Sequence, residues 1–87
     1  MAAATRVAKK EAAMLIQIEK GGDLVEAFAK HARFVADVLA LPDHIAQSYC
    51  DGTRLHVEKL KASGTLSTVT TEQWTETQAA ALVRLGD

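Results

Sequence analysis

The segment from Leu24 to Leu41 is strongly apolar, and its few charges recur at helical spacing. At about 100° per residue, these charges fall within roughly 60° of one another and form one narrow polar stripe. The stripe consists of Glu26, Lys30, Arg33 and Asp37. Apolar residues cover the rest of the circumference, which is more than a single packing partner can bury. We therefore expect this helix at the centre of a bundle or at the centre of an oligomer.

Length and composition favour a small helical domain. The 87 residues are expected to form one domain, residues 1–87, and a domain of this size buries only about 60 to 65% of its unfolded surface. Self-association would add stability. Hydrophobic residues make up 48% of the chain and aromatic residues only 5%, a composition that favours packed helices over sheets. The net charge of −1 provides no overall field for nucleic acid or an anionic membrane.

Cysteine usage and the N-terminal segment bear on location. Cys50 is the only cysteine, so an intramolecular disulfide is excluded and a reducing, cytoplasmic setting is expected. Basic residues precede a short apolar run that includes residues 12–16, a pattern with some likeness to a signal peptide. The run is too short for a signal sequence or a membrane span, so we expect no membrane association.

The first half of the chain predicts a helical hairpin. Thr5 to Lys20 has apolar residues at helical spacing, and Gly21-Gly22 follows directly as a C-terminal stop. Asp23 is a favourable N-cap for the second helix, which is expected to end before Pro42 because a residue preceding proline is pushed out of the helical region. The two-glycine link indicates that the two helices are antiparallel neighbours.

The second half predicts further, shorter helices. The segment Asp43–Cys50 is followed by Asp51-Gly52, which we interpret as a turn between two short helices rather than a kink in one longer helix. The next helix is expected to reach about Ser63, with Gly64 as its left-handed cap. The stretch Thr65–Thr71 is rich in Ser and Thr, and of all segments in the chain it is the one most strongly predicted to form a loop.

The last helix has a well-defined start in the sequence. Thr70 and Gln73 match a capping box, and Val69 and Trp74 occupy the positions of a hydrophobic staple around a Thr70 N-cap. The helix is expected to stop at Gly86. The fold class is therefore all-α: a small bundle of four to five helices with an N-terminal hairpin, expected to be oligomeric.

Three side chains with metal-binding chemistry lie near the middle of the chain. His44, Cys50 and His56 are six residues apart, and Asp51 is a fourth possible ligand. Six residues turn a side chain through about 240°, so these groups converge only if the Asp51-Gly52 turn folds the helices back on each other. Zinc motifs use shorter gaps within each half. We expect no metal and no cofactor.

Catalysis by Cys50 would require one of these histidines as a base and a substrate pocket of about 300 Å³. Small helical bundles seldom form such a pocket. We therefore do not expect an enzyme, although a small-ligand pocket between subunits stays open as an alternative.

A nucleic-acid function is the second hypothesis. The segment Leu60–Leu66 resembles the end of the recognition helix in winged-helix regulators, and the resemblance covers about a dozen residues around it. It implies a helix-turn-helix-like segment at 43–66 and DNA binding. After Leu66, however, the capping box opens a helix where the strands of a wing would follow. The expected nucleic-acid contacts lie in the basic part of this segment: Arg54, His56, Lys59 and Lys61.

The leading hypothesis is a non-enzymatic protein-interaction module, an adaptor, regulator or inhibitor that binds a larger protein. The absence of catalytic motifs and phosphate loops favours it, as does the excess of apolar helix surface. We also expect a homodimer or higher oligomer. His31 is interpreted as a helix or interface contact, with pH-sensitive association as the alternative, and Trp74 as a staple or a partner anchor. The expected interface comprises Phe28, His31, Phe34, Val35, Val38 and Trp74.

Overall fold

Four α-helices make up the fold, in a computed structural model that describes residues 2–85. No strand occurs in this part of the chain, so the all-α prediction is confirmed. None of the described helices combines the length and the apolar character needed to cross a bilayer. The helices are α1 (Ala2–Glu19), α2 (Leu24–Leu39), α3 (Asp43–Ala62) and α4 (Thr71–Leu85), with a short 3-10 helix, Leu66–Thr68, before α4.

The link between α1 and α2 forms as the sequence predicts. Gly21 adopts a positive φ of 108°, which ends α1, and its N–H donates to the carbonyl of Ile18 at 3.0 Å. The Asp23 carboxylate then accepts a hydrogen bond of 3.1 Å from the Glu26 N–H, so Asp23 is the N-cap of α2. Both local signals are confirmed, because each satisfies backbone groups that a helix end leaves free.

The helix α2 ends at Leu39, slightly earlier than predicted. Ala40 takes the left-handed conformation (φ 54°, ψ 45°), and its N–H donates to the carbonyl of Ala36. Pro42 then occupies the N-cap position of α3, where its carbonyl accepts a hydrogen bond of 3.1 Å from the Ala46 N–H. The proline therefore stops one helix and starts the next, since its fixed φ suits a helix start and not a helix interior.

The helix α3 is one continuous helix of 20 residues, so the predicted turn at Asp51-Gly52 is wrong. Gln47 Nε2 donates to Asp51 Oδ1 at 2.9 Å along this stretch, and Gly52 lies on the exposed side with nothing within 4 Å of its Cβ position. Glycine in a helix interior costs about 1 kcal/mol relative to alanine. Burial of the inner face outweighs that cost, and this face consists of Ala46, Cys50, Thr53 and Val57.

The segment between α3 and α4 is ordered by local hydrogen bonds. Gly64 has a φ of 77°, which confirms it as the left-handed residue after α3, and the Thr65 N–H donates to the carbonyl of Leu60 at 3.0 Å. Leu66 is buried and anchors the 3-10 helix in the core. The predicted loop is therefore a compact connection with one apolar anchor.

The start of α4 confirms the capping box. The Gln73 N–H donates to Thr70 Oγ1 at 3.1 Å, and the Thr70 N–H donates to Gln73 Oε1 at 3.2 Å. Val69 is half-buried and packs against the cluster that contains buried Trp74, as a hydrophobic staple requires. The helix is described through Leu85, and the predicted stop at Gly86 lies outside the described residues.

The helices pack in two main pairs. The most extensive contacts join α1 to α4 and α2 to α3, and the α1–α2 contact is smaller. The predicted N-terminal hairpin is present, but α1 packs more extensively on α4 than on α2, and α2 packs more extensively on α3 than on α1. One core cluster lies around Val7, Val35, Ala46 and Leu82, and a second lies around Leu15, Phe28, Val57 and Trp74.

Replacement of Gly52 by alanine tests the continuity of α3. We expect Gly52→Ala to raise the free energy of unfolding by about 0.5 to 1 kcal/mol, because the position is helical and unobstructed. Gly64→Ala is the matched control, and its positive φ should make that variant less stable by a similar amount. Urea unfolding followed by circular dichroism measures both. A destabilised Gly52→Ala protein would favour a turn at this position.

Candidate functional site

A fully buried carboxylate lies at the centre of the bundle. Glu11 is on the inner face of α1 among alanine, valine, leucine and isoleucine side chains, and its exposed fraction is 0%. A carboxylate is seldom buried completely unless other polar groups surround it. The residues around Glu11 are therefore the most unusual feature of the interior.

Polar groups from the other three helices converge on this carboxylate. His31 Nε2 of α2 lies 2.9 Å from Glu11 Oε2, and the Tyr49 hydroxyl of α3 donates to the same oxygen at 2.7 Å. Trp74 Nε1 and Gln78 Nε2 of α4 donate to Oε1 at 3.2 and 3.4 Å. Gln78 Nε2 also donates to the Tyr49 hydroxyl at 2.7 Å. We call these five residues the Glu11 cluster.

The cluster keeps the Tyr49 hydroxyl in its protonated form. Burial raises the pKa of the Tyr49 hydroxyl well above its ordinary value, and the neighbouring Glu11 carboxylate raises it further. The phenol therefore remains a donor throughout the physiological range. With two donors on each carboxylate oxygen, the acceptor capacity of Glu11 is largely used within the protein.

His31 lies between two aromatic rings on the same helix. Phe28 meets its ring edge-on at a centroid distance of 6.0 Å, and Phe34 stacks on it at 5.8 Å. Its side chain is 0% exposed, and Nδ1 is buried without a hydrogen-bond partner in the described part of the chain. The structure therefore places His31 as a contact between helices α1 and α2 inside the protein.

Cys50 has the chemistry of a buried structural thiol. Burial raises its pKa to about 12, with further contributions from the Glu11 and Asp51 carboxylates. The thiolate is the form that acts as nucleophile and metal ligand, and this environment disfavours it. His44 and His56 are exposed, and the continuous α3 does not bring them together with Cys50. No group of three candidate metal ligands occurs within residues 2–85.

The residues of the predicted protein interface divide into two groups. Four are buried inside the chain's own core, namely Phe28, His31, Val35 and Trp74. The other two, Phe34 and Val38, are half-buried on α2. Lys10 Nζ lies 4.6 Å from the centroid of the Phe34 ring, which places Phe34 beside α1. Only this second group offers surface to a partner without opening the bundle.

The predicted nucleic-acid residues lie in the C-terminal half of α3. Arg54 Nη1 forms an ion pair of 2.7 Å with Glu58, and the His56 ring stacks on Trp74 at 6.1 Å. Residues 43–62 form a single helix, so the prediction of a helix-turn-helix-like segment at 43–66 is wrong. The reason is again the continuous buried face of α3. The two remaining basic residues are exposed: Lys59 and Lys61.

Sequence reasoning missed three members of the Glu11 cluster. Glu11 itself carries a detectable signal, because it is a charge in the middle of the apolar face defined by Ala8, Ala12 and Leu15. Tyr49 and Gln78 carry no comparable signal. Each is polar on a half-buried part of its helix, and only the packing of α3 and α4 brings them to the carboxylate.

Replacement of Glu11 by glutamine tests how much the fold depends on this carboxylate. We expect Glu11→Gln to lower the free energy of unfolding by about 2 to 4 kcal/mol, because the amide NH₂ group would face other donors inside the core. The control is Glu19→Gln, an exposed position on the same helix, which should change stability by less than about 0.5 kcal/mol. Urea unfolding measures both. Equal stability of the two variants would contradict this role of Glu11.

Alkaline pH should weaken the fold through the two raised pKa values. Folding raises the pKa of the Cys50 thiol above its ordinary value of 9.0 and that of the Tyr49 hydroxyl above 10.0. Each bound proton therefore stabilises the folded state fully at pH values below the ordinary pKa. This stabilisation is lost progressively as the pH rises from the ordinary pKa toward the raised one. We expect the free energy of unfolding to fall above about pH 9. The fall should be smaller in Cys50→Ala. Urea unfolding at several pH values measures it, and identical pH profiles for both proteins would contradict the role of the thiol.

Comparison with known proteins adds no family assignment. No protein-family model, no curated protein and no solved structure matches this chain. The functional proposals below therefore rest on the contacts described above.

Proposed function

We propose that this chain is a non-enzymatic protein-interaction module, an adaptor, regulator or inhibitor that binds a larger protein. The observation that carries the proposal is a set of large apolar side chains that the bundle leaves about half exposed. Exposed apolar side chains mark protein-binding sites where they form a contiguous patch. Three long apolar side chains on three different helices are about half exposed: Ile16 at 48%, Val25 at 59% and Leu55 at 50%.

The enclosed interior supports a binding role rather than a catalytic one. The Glu11 and His31 side chains have no exposed surface, and the carboxylate is occupied by donors from its own chain. The Cys50 thiol stays protonated at neutral pH. A general base or nucleophile has to reach its substrate, and these titratable groups are sealed from solvent. The described surface cavities are grooves between helices, from about 190 to about 370 Å³ in volume.

The contacts of α3 do not favour the nucleic-acid alternative. Arg54 is held by Glu58, and His56 packs on Trp74. A recognition helix uses such side chains to reach base edges or phosphates. Nucleic-acid binding is therefore the alternative outcome of the affinity capture with and without nuclease.

Self-association through α2 stays a prediction. Of the residues expected in a homodimer interface, Phe34 and Val38 retain exposed surface, and Phe28 and Val35 do not. A dimer interface that uses α2 would therefore be smaller than the sequence indicates.

Affinity capture from the native lysate, with and without nuclease, tests the proposed function. We expect a stoichiometric protein companion that survives nuclease and is weakened by at least one of Ile16→Ser, Val25→Ser and Leu55→Ser. Ala29→Ser, an exposed position without a large side chain, is the control. A co-expressed untagged copy of the chain identifies self-association. Recovery of nucleic acid alone, or of no companion, would contradict the proposal.

A further inference from the structure

Helix α1 makes its largest contact with the helix that is farthest from it in sequence. It packs most extensively on α4, and its contact with the neighbouring α2 is smaller. Its buried carboxylate, Glu11, accepts hydrogen bonds from Tyr49 of α3 and from Trp74 and Gln78 of α4. The hairpin contact is therefore a minor part of what holds α1 in place. A second copy of this chain has the same α2, α3 and α4, so it can offer α1 the same contacts.

The link between α1 and α2 has no side chain in the core. All four of its residues, 20–23, are exposed. The link that precedes α4 differs, because Leu66 is buried and anchors that segment. Of these two links, the first can change its conformation without withdrawing a buried side chain from the core.

Two glycines hold the α1–α2 link in its tight, closed form. Gly21 has a φ of 108°, a conformation that other residues rarely adopt. A Cβ atom at Gly22 would lie 2.9 Å from the carbonyl oxygen of Gln17, which is closer than van der Waals contact permits. Neither restriction applies to a straight, helical link. With a straight link, α1 would continue the axis of α2 and project roughly 27 Å from its own body, where a second copy can bind it.

Four residues of the predicted interface lie where an exchanged α1 would bind. Phe28, His31, Val35 and Trp74 are buried inside one chain, so a dimer of closed chains cannot use them. Phe28 and Val35 belong to core clusters that include α1 side chains, and His31 and Trp74 contact Glu11 directly. If α1 came from a second copy, these four residues would form the contact between the copies. The core of the single chain would then also be the dimer interface.

We propose that two copies of this chain associate by domain swapping, in which they exchange α1 about the Gly21-Gly22 hinge. In the swapped dimer, Glu11 of each copy accepts its hydrogen bonds from the other copy. The only contacts of the closed chain that are lost are those within the link, such as the hydrogen bond from the Gly22 N–H to the Gln17 carbonyl. Swapping is a low-cost route to a dimer, because it reuses contacts that already exist. The partner here is a second copy, and the inference is tested separately from the larger protein proposed above.

Replacement of both hinge glycines tests this inference. We expect Gly21→Ala/Gly22→Ala to form a dimer whose dissociation constant is at least about a hundredfold lower than that of the unchanged chain. The reason is that alanine strains the closed link and favours the helical link in both copies. Gly64→Ala is the matched control, because it makes the same change at a positive φ in the link that Leu66 anchors, and it should not lower the dissociation constant. Size-exclusion chromatography with light scattering, from micromolar to millimolar concentration, measures the mass.

An isotope-filtered NMR experiment distinguishes swapping from ordinary dimerisation. The sample is a dimer refolded from an equal mixture of ¹³C,¹⁵N-labelled and unlabelled chains of the double variant. We expect the labelled Trp74 indole N–H to show NOEs to Glu11 side-chain protons of the unlabelled copy, because Trp74 Nε1 lies 3.2 Å from Glu11 Oε1. In a dimer of closed chains these NOEs arise only within one chain, since Trp74 is buried.

Two results would overturn the inference: a folded double variant that stays monomeric at millimolar concentration, or a dimer without NOEs between the copies. Circular dichroism shows whether the double variant is folded. If it does not fold, the unchanged chain decides the question. Refolding of that chain from urea at millimolar concentration should give a dimer with the same NOEs, which returns slowly to monomer on dilution because α1 has to leave the core. Monomer alone after this refolding would contradict domain swapping.

Discussion

A carboxylate without solvent contact needs hydrogen-bond donors around it, and in this fold each of the other three helices supplies at least one. Glu11 accepts from Tyr49, Trp74 and Gln78, and His31 lies against the same carboxylate. Removing one partner of such a network leaves a buried group unsatisfied, which costs more than the hydrogen bond itself contributes. Hydrogen bonds to a single buried side chain therefore link the four helices, in addition to the apolar packing on both sides of it.

The interior of the bundle encloses its buried titratable groups. Glu11 and His31 are enclosed, and burial also holds the thiol of Cys50 in its protonated form. Three large apolar side chains keep about half of their surface exposed: Ile16, Val25 and Leu55. These exposed apolar side chains are the observation on which the proposed protein-binding role rests.

Features that depend on neighbouring residues are predicted correctly from the sequence, whereas features that depend on contacts between distant residues are not. The Asp23 cap, the Gly64 left-handed residue and the Thr70–Gln73 capping box all depend on residues within a few positions of one another, and all three are confirmed. The predicted turn at Asp51-Gly52 is wrong, because the stabilisation of a continuous α3 comes from helices distant in sequence. The predicted interface has the same limitation. An apolar α2 indicates burial but does not identify what buries it, and for Phe28 and Val35 the answer is the chain itself.

The sequence by itself determined that this protein is all-α and where each of the four described helices begins or ends, because caps, glycines and apolar periodicity act locally. Only the tertiary structure decided that α3 is unbroken and that Glu11 is enclosed by Tyr49 and Gln78. It also decided which apolar side chains remain at the surface, such as Val25 and Leu55. The physical reason is that burial and hydrogen bonding of a side chain depend on which helices meet around it, and that choice involves residues up to 67 positions apart.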